Sequence, residues 1–299
     1  MMDIVAERAK TLPDLIADPT TMLTGEILNF YLTAWLPRQR MDEDTMKSVH
    51  FFETDMYTYV KDKLDKNILE PPRKSDMVEL RAKVFRRFDK SILCKDLLVW
   101  PIHVTEYKHW ILAIIQNPDG AIRRKRVVVE NEDNDDPNNN RSDLGMGHEK
   151  FQIDKKKPCR ILIMDSLMGT SKYGEKLEKT YEECARNLKI WMQLAGTFME
   201  DIVIQNRIQT VICRNLPIQN NSFDCGLFVL AFAEYFAIWK TDWMSASDDE
   251  VENMVLDDSV EQSLLDGTSR TRLHNLIVSS RGNKSAPAVE QKPRISHVS

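Results

Sequence analysis

The 299 residues contain no apolar run approaching the roughly 18 that a bilayer-spanning helix needs, which argues against an α-helical membrane protein. The opening Met1-Met2-Asp3-Ile4-Val5-Ala6-Glu7-Arg8 mixes charges without a continuous apolar core and does not read as a secretory signal. Cysteine is sparse and irregular. Cys94, Cys159, Cys184, Cys213 and Cys225 are odd in number and form no CxxC pair, which excludes a disulfide scaffold and a zinc knuckle. No metal and no organic cofactor is expected. Charge of one sign is also lacking: a net charge of −5 and a pI of about 5.8 leave no footprint for nucleic acid. There is no internal repeat and no second domain. The expectation is a protein of the nucleus or cytoplasm, a monomer by default, whose thiols are mostly small buried groups.

What is present is a change of texture along the chain. Apolar spacing predicts a helix over Leu23–Trp35, and a second over Asp44–Leu64 with Phe51, Phe52, Met56 and Tyr59 as its buried stripe. After Pro71-Pro72, an amphipathic helix is expected over Met77–Phe88. Short apolar runs then predict strands at Leu97–Pro101, Trp110–Ile115, Arg160–Met164 and Gln209–Cys213. Helices are expected over Lys172–Leu194, Asp224–Ile238 and Arg270–Val278. This order suits an α+β domain in which helices flank a modest mixed sheet. Residues 1–21 read as an N-terminal extension, 22–280 as one catalytic-sized domain with an insertion at 117–157, and 281–299 as a disordered tail. Within the insertion, Glu130–Gly147 is too polar to join a core, and Asp248–Asp266 is strongly acidic.

Five residues carry candidate chemistry. In Asn221-Ser222-Phe223-Asp224-Cys225-Gly226 a polar loop runs straight into an apolar helix. A thiol in the first turn faces unpaired N–H groups and the positive end of the helix dipole, both of which favour thiolate. Gly226 would leave room beside the sulfur for a substrate backbone. The same segment also fits a buried structural cysteine. A nucleophile needs a base. His50 reads as a residue on a helical face and His103 as a loop residue, whereas His109 stands directly before the strand opened by Trp110. Asp165 emerges where Arg160–Met164 stops; it suits an imidazole-orienting carboxylate or an ordinary turn cap. Gln219, six residues before Cys225, offers an amide donor for an oxyanion, or is a plain loop residue. The run Arg123-Arg124-Lys125-Arg126 fits either an import signal or solvated surface.

Together these residues resemble a known family. The order His109-Trp110, Asp165 after an apolar strand, then Gln219 and Cys225-Gly226 is similar to the SUMO-specific (sentrin, or ubiquitin-like-protein) cysteine proteases. The likeness extends through Leu23-Thr24-Gly25-Glu26-Ile27-Leu28-Asn29-Phe30-Tyr31, Phe51-Phe52, Trp100-Pro101-Ile102-His103 and Met164-Asp165-Ser166-Leu167. It implies a papain-like core and a thioester mechanism that cuts after Gly-Gly in SUMO or its conjugates. In it Cys225, His109, Asp165 and Gln219 would be catalytic, and Trp110 would clamp the diglycine. The insertion and Lys157-Pro158-Cys159-Arg160 resemble the branch that trims SUMO chains. Thr24-Gly25 departs from the family's Asn-Asp, and Met22 from its Trp, which bears on the substrate-side wall. A protease for NEDD8 or ubiquitin would carry the same four residues, while an inactive SUMO-binding relative would not need them all.

Overall fold

The long apolar runs become strands covered on both faces. The structure is a computed structural model describing residues 18, 20–65, 91–123, 158–168, 174–199, 202–256, 258–265 and 267–282. In chain order, α1 (Gly25–Asn29), a π-helical stretch (Phe30–Trp35) and α2 (Leu36–Arg40) run end to end, followed by α3 (Glu43–Ser48), β1 (Val49–Phe51) and α4 (Met56–Asp65). Next come β2 (Leu97–Val104), β3 (His109–Gln116), β4 (Ile122–Arg123), β5 (Cys159–Met164), α5 (Gly174–Phe198), β6 (Ile202–Val203) and β7 (Ile208–Ile212). The chain continues through α6 (Cys225–Ile238), α7 (Lys240–Ser245), α8 (Asp248–Glu252), α9 (Asp258–Leu265) and α10 (Thr268–Gly282).

Five strands form a mixed sheet in the order β1-β2-β3-β5-β7, with β1 parallel to β2, β5 parallel to β7, and the two central pairings antiparallel. Side chains alternate between two cores, as the period of a strand requires. Leu97, Val99, Leu112, Ile114, Leu162 and Met164 pack with α6 and the C-terminal helices. Leu98, Trp100, Ile111, Ala113, Ile161 and Ile163 pack with α5. A sheet covered on both sides has no polar face, which is why its strands read as continuous apolar runs. Helix α6 is apolar nearly all round because it is wrapped by other helices on the side away from the sheet. The architecture is the expected α+β arrangement, a mixed sheet flanked by helices.

The structure corrects the N-terminal expectations. The helix predicted over Asp44–Leu64 is two helices separated by β1, whose three residues pair with Leu97–Val99. A strand this short leaves no period of its own, and a tertiary partner overrides the helical spacing around it. His50 is therefore a strand residue. So is His103, which lies opposite Trp110 in the β2–β3 ladder rather than in a loop. Cys94 is exposed, while the other four cysteines are buried. Residues 117–123, placed in the insertion, belong to the folded domain: Pro118, Gly120 and Ala121 are buried, and Ile122–Arg123 pairs with β6. The acidity of 248–250 has a local cause. Asp248, Asp249 and Glu250 fill the first turn of α8, where Ser247 and Glu250 form a capping box and negative charge suits the helix dipole. The helix expected over Met77–Phe88, the polar stretch 130–147 and the tail from 283 lie outside the described residues.

Candidate active site

Sheet register brings His109 and Asp165 together. The chain turns between β2 and β3 through Thr105–Tyr107 and Lys108, whose φ of 50° lies in the left-handed region, and His109 opens β3. Because β3 and β5 are antiparallel, with Leu112 opposite Met164, the end of β5 lies beside the start of β3. Asp165 follows Met164 directly, and its Oδ1 sits 2.6 Å from His109 Nε2. That oxygen also accepts the Leu167 N–H at 2.7 Å, while Oδ2 accepts the Tyr181 hydroxyl at 2.7 Å. A carboxylate only accepts, so Nε2 carries a proton and Nδ1 is left for Cys225. Burial pulls the His109 pKa down. Hydrogen bonds to Asp165 and Cys225, with the negative charge of both, outweigh burial and raise it to about 9. His109 and Cys225 are 3% and 1% exposed, so the pair is shielded from bulk water.

Gln219 is tied to the same strand end. Its N–H donates to the Ser166 carbonyl at 2.9 Å, and its Oε1 accepts the Ser166 hydroxyl at 2.6 Å. Its Nε2 donates to the Asn221 carbonyl at 2.7 Å. A carbonyl can only accept, which fixes which end of the amide is nitrogen. The second Nε2 hydrogen remains for a ligand. Adjacent residues thus hold two different groups: Asp165 holds His109, and Ser166 holds Gln219.

The thiol stands at the first position of α6. Asp224 occupies the N-cap position, yet its side chain caps nothing. Its Oδ1 is turned to Arg270 of α10, with Nε at 3.0 Å and Nη2 at 2.7 Å, and its Oδ2 accepts from Asn221 Nδ2 at 2.7 Å. Asn221 Oδ1 in turn accepts the N–H groups of Phe223 and Asp224, each at 3.0 Å. With the carboxylate drawn aside, the first turn of α6 has no side-chain cap, and the Leu227 N–H turns back to the Asp224 carbonyl at 2.8 Å.

Trp110 is buried, its Nε1 donating to the Leu23 carbonyl at 2.9 Å. The departure at Gly25 has a steric reason. A Cβ there would stand 2.5 Å from Thr54 Oγ1, a clash, but only in ordinary contact with Trp110 Cη2 at 3.6 Å, so glycine's smallness serves the close approach of α1 to Thr54. Gly226 needs correction. A Cβ on it would lie 2.9 Å from Leu23 Cβ and 3.3 Å from Leu28 Cδ1, so its smallness admits Leu23 and Leu28 rather than a substrate backbone. Tyr181, Ser166 and Arg270 were not identified from sequence. Ser166 adjoins the aspartate and was within reach, whereas nothing local marks the other two. Among the described residues no group of three or more His, Cys, Asp or Glu is placed to hold a metal, and no helix is long and apolar enough to cross a membrane.

Comparison with known proteins places the chain in a family. The sequence model of the Ulp1 protease family, C-terminal catalytic domain, matches residues 21–266. The chain is 29% identical over 225 residues to a probable ubiquitin-like-specific protease 2B of Arabidopsis thaliana, covering 74% of this chain and 20% of that one. It is 26% identical over 246 residues to sentrin-specific protease 7 of Homo sapiens, covering 72% and 22%. The chain thus spans about a fifth of the length of these curated relatives. The crystal structure of a de-sumoylating protease superposes with a TM-score of 0.53 at 16% identity, over 90% of this chain and 84% of that one, and shares the fold.

Proposed function

The chain belongs to the Ulp1 protease family, and from that premise we propose that it is a SUMO-specific cysteine protease that frees SUMO from conjugates by cutting after Gly-Gly. The observation that carries the chemistry is the 2.6 Å contact of His109 with Asp165 beside a thiol at a helix start. Cys225 Sγ attacks the glycyl carbonyl carbon as the thiolate. The oxyanion is met by the Gln219 amide and the Cys225 N–H. His109 gives its proton to the leaving lysine amine as the C–N bond breaks, leaving a glycyl thioester. Water then attacks the thioester with His109 as base, releasing the carboxylate and restoring the thiol. Trp110, anchored through Leu23, forms the roof over the diglycine. SUMO and its conjugates are the partners, and the nucleus or cytoplasm is the place of action.

Two measurements bear on this reading. Ubiquitin-like modifiers carrying a C-terminal thiol-reactive group are incubated with the protein and any adduct is mapped by peptide mass. A SUMO adduct on Cys225 is the expected result. Reaction with NEDD8 or ubiquitin alone would replace the substrate, and reaction with none, alongside tight SUMO binding, would leave only a binding module. Separately, Gln219→Ala is expected to lower kcat about 100- to 1000-fold with KM little changed. A change confined to KM would take Gln219 out of the oxyanion site.

A further inference from the structure

Asp165 holds His109 through Oδ1, but its other oxygen is held from a different layer of the fold. Tyr181 lies on α5, 16 residues from Asp165 in sequence, and is 1% exposed. Its hydroxyl is the donor to Oδ2, at 2.7 Å. Burial first, and then the Asp165 charge, push the phenol pKa up, so it stays a protonated donor wherever the enzyme works. The other titratable groups around this chain of contacts are Cys225 and His103 beside His109, and Glu178 and Cys184 beside Tyr181.

We propose that Tyr181 is a positioning residue that tempers the Asp165–His109 pair. A buried carboxylate bonded only on its inner oxygen would present its full charge to the imidazolium and hold the proton too tightly. A phenol on Oδ2 draws charge outward and fixes the plane of the carboxylate. His109 then remains acid enough to protonate a leaving amine and stays aimed at Cys225. The catalytic consequence rests on the protease reading above, whereas the effect on His109 does not.

The test therefore reads His109 directly. Its titration is followed by NMR of histidine-labelled protein in the wild type, in Tyr181→Phe, and in protein carrying 3-fluorotyrosine at position 181. The fluorinated residue keeps the hydroxyl and nearly the same volume while making it a stronger donor, so it guards against simple loss of folding. The His109 pKa is expected to rise by about half a unit to one unit in Tyr181→Phe and to fall in the fluorinated protein. The alkaline limb of kcat/KM is expected to move in the same two directions, with a roughly tenfold loss of kcat for Tyr181→Phe and KM little changed, the scale typical of a partner that orients a catalytic group. An unmoved His109 titration in both proteins overturns the proposal, whatever the activity. If the titration shifts as expected but no modifier is cleaved even by the wild type, the positioning role stands and the protease reading fails.

Discussion

Asp165→Ala is expected to lower kcat about 10,000-fold, while Asp165→Asn is expected to keep roughly a hundredfold more of it. Alanine removes the acceptor that aims the imidazole and stabilises its cation, and it strands three donors: His109 Nε2–H, the Leu167 N–H and the Tyr181 hydroxyl. In many hydrolases an amide in place of the acid is nearly as damaging, because its NH2 group forces the wrong histidine tautomer. Here the partners differ. An asparagine oxygen placed at Oδ1 still accepts from His109 and Leu167, and its nitrogen at the Oδ2 position can donate to Tyr181 if the phenol rotates and accepts. The tautomer survives and only the charge is lost. Single-turnover cleavage of a SUMO conjugate by the two variants, with folding checked by circular dichroism, measures the gap. Equal losses would show either that Tyr181 cannot turn to accept, so the amide imposes the wrong tautomer, or that charge alone governs the pair.

Arg270→Ala is expected to cost about 3–5 kcal/mol of stability and to lower the melting temperature on the order of 10 °C. The Asp224 and Arg270 side chains are each 8% exposed, and the arginine places two donors on Asp224 Oδ1. Truncating it leaves a buried carboxylate with the Asn221 amide as its remaining side-chain donor. The harm would come from the orphaned charge rather than from the worth of the pair, so the double variant Asp224→Asn, Arg270→Met is expected to recover much of the loss. Activity is expected to fall more than stability alone explains, since a freed Asp224 can swing toward the start of α6 and disturb the loop that leads into Cys225. Arg270 lies past residue 266, where the match to the family's catalytic domain ends. A single variant that melts like the wild type, or a double variant no better than the single, would remove Asp224–Arg270 from the supports of the nucleophile.

How far the sequence disclosed this arrangement depended on where each constraint acts. Strands β2, β3 and β5 were legible because burial on both faces makes every residue apolar. Helix α6 was legible because a polar loop stops at Asp224 and fourteen mostly apolar residues follow. Strand β1 was hidden: its order comes from pairing with Leu97–Val99, far along the chain. Within the site, His109, Asp165 and Cys225 each sit at the boundary of an element, where a polar residue against an apolar run stands out. Tyr181 does not. Its place on α5 gives it the spacing of a core aromatic, and nothing local says that its hydroxyl ends on a carboxylate. Arg270 is equally silent, one of two arginines in Ser269-Arg270-Thr271-Arg272. Gly226 misled because a small residue beside a thiol suggests access, when the space is taken by Leu23 and Leu28.

The Asp224–Arg270 pair also bears on when in its life the molecule becomes competent. A chain emerging from the ribosome presents His109 and Asp165 first and Cys225 later, in the order of their numbers. The guanidinium that holds the nucleophile's loop arrives 46 residues after Asp224. Until then Asp224 has no counter-ion and is free to cap the helix it precedes. The thiol is thus translated before the pair that holds its loop can form, and that loop is completed only when α10 docks.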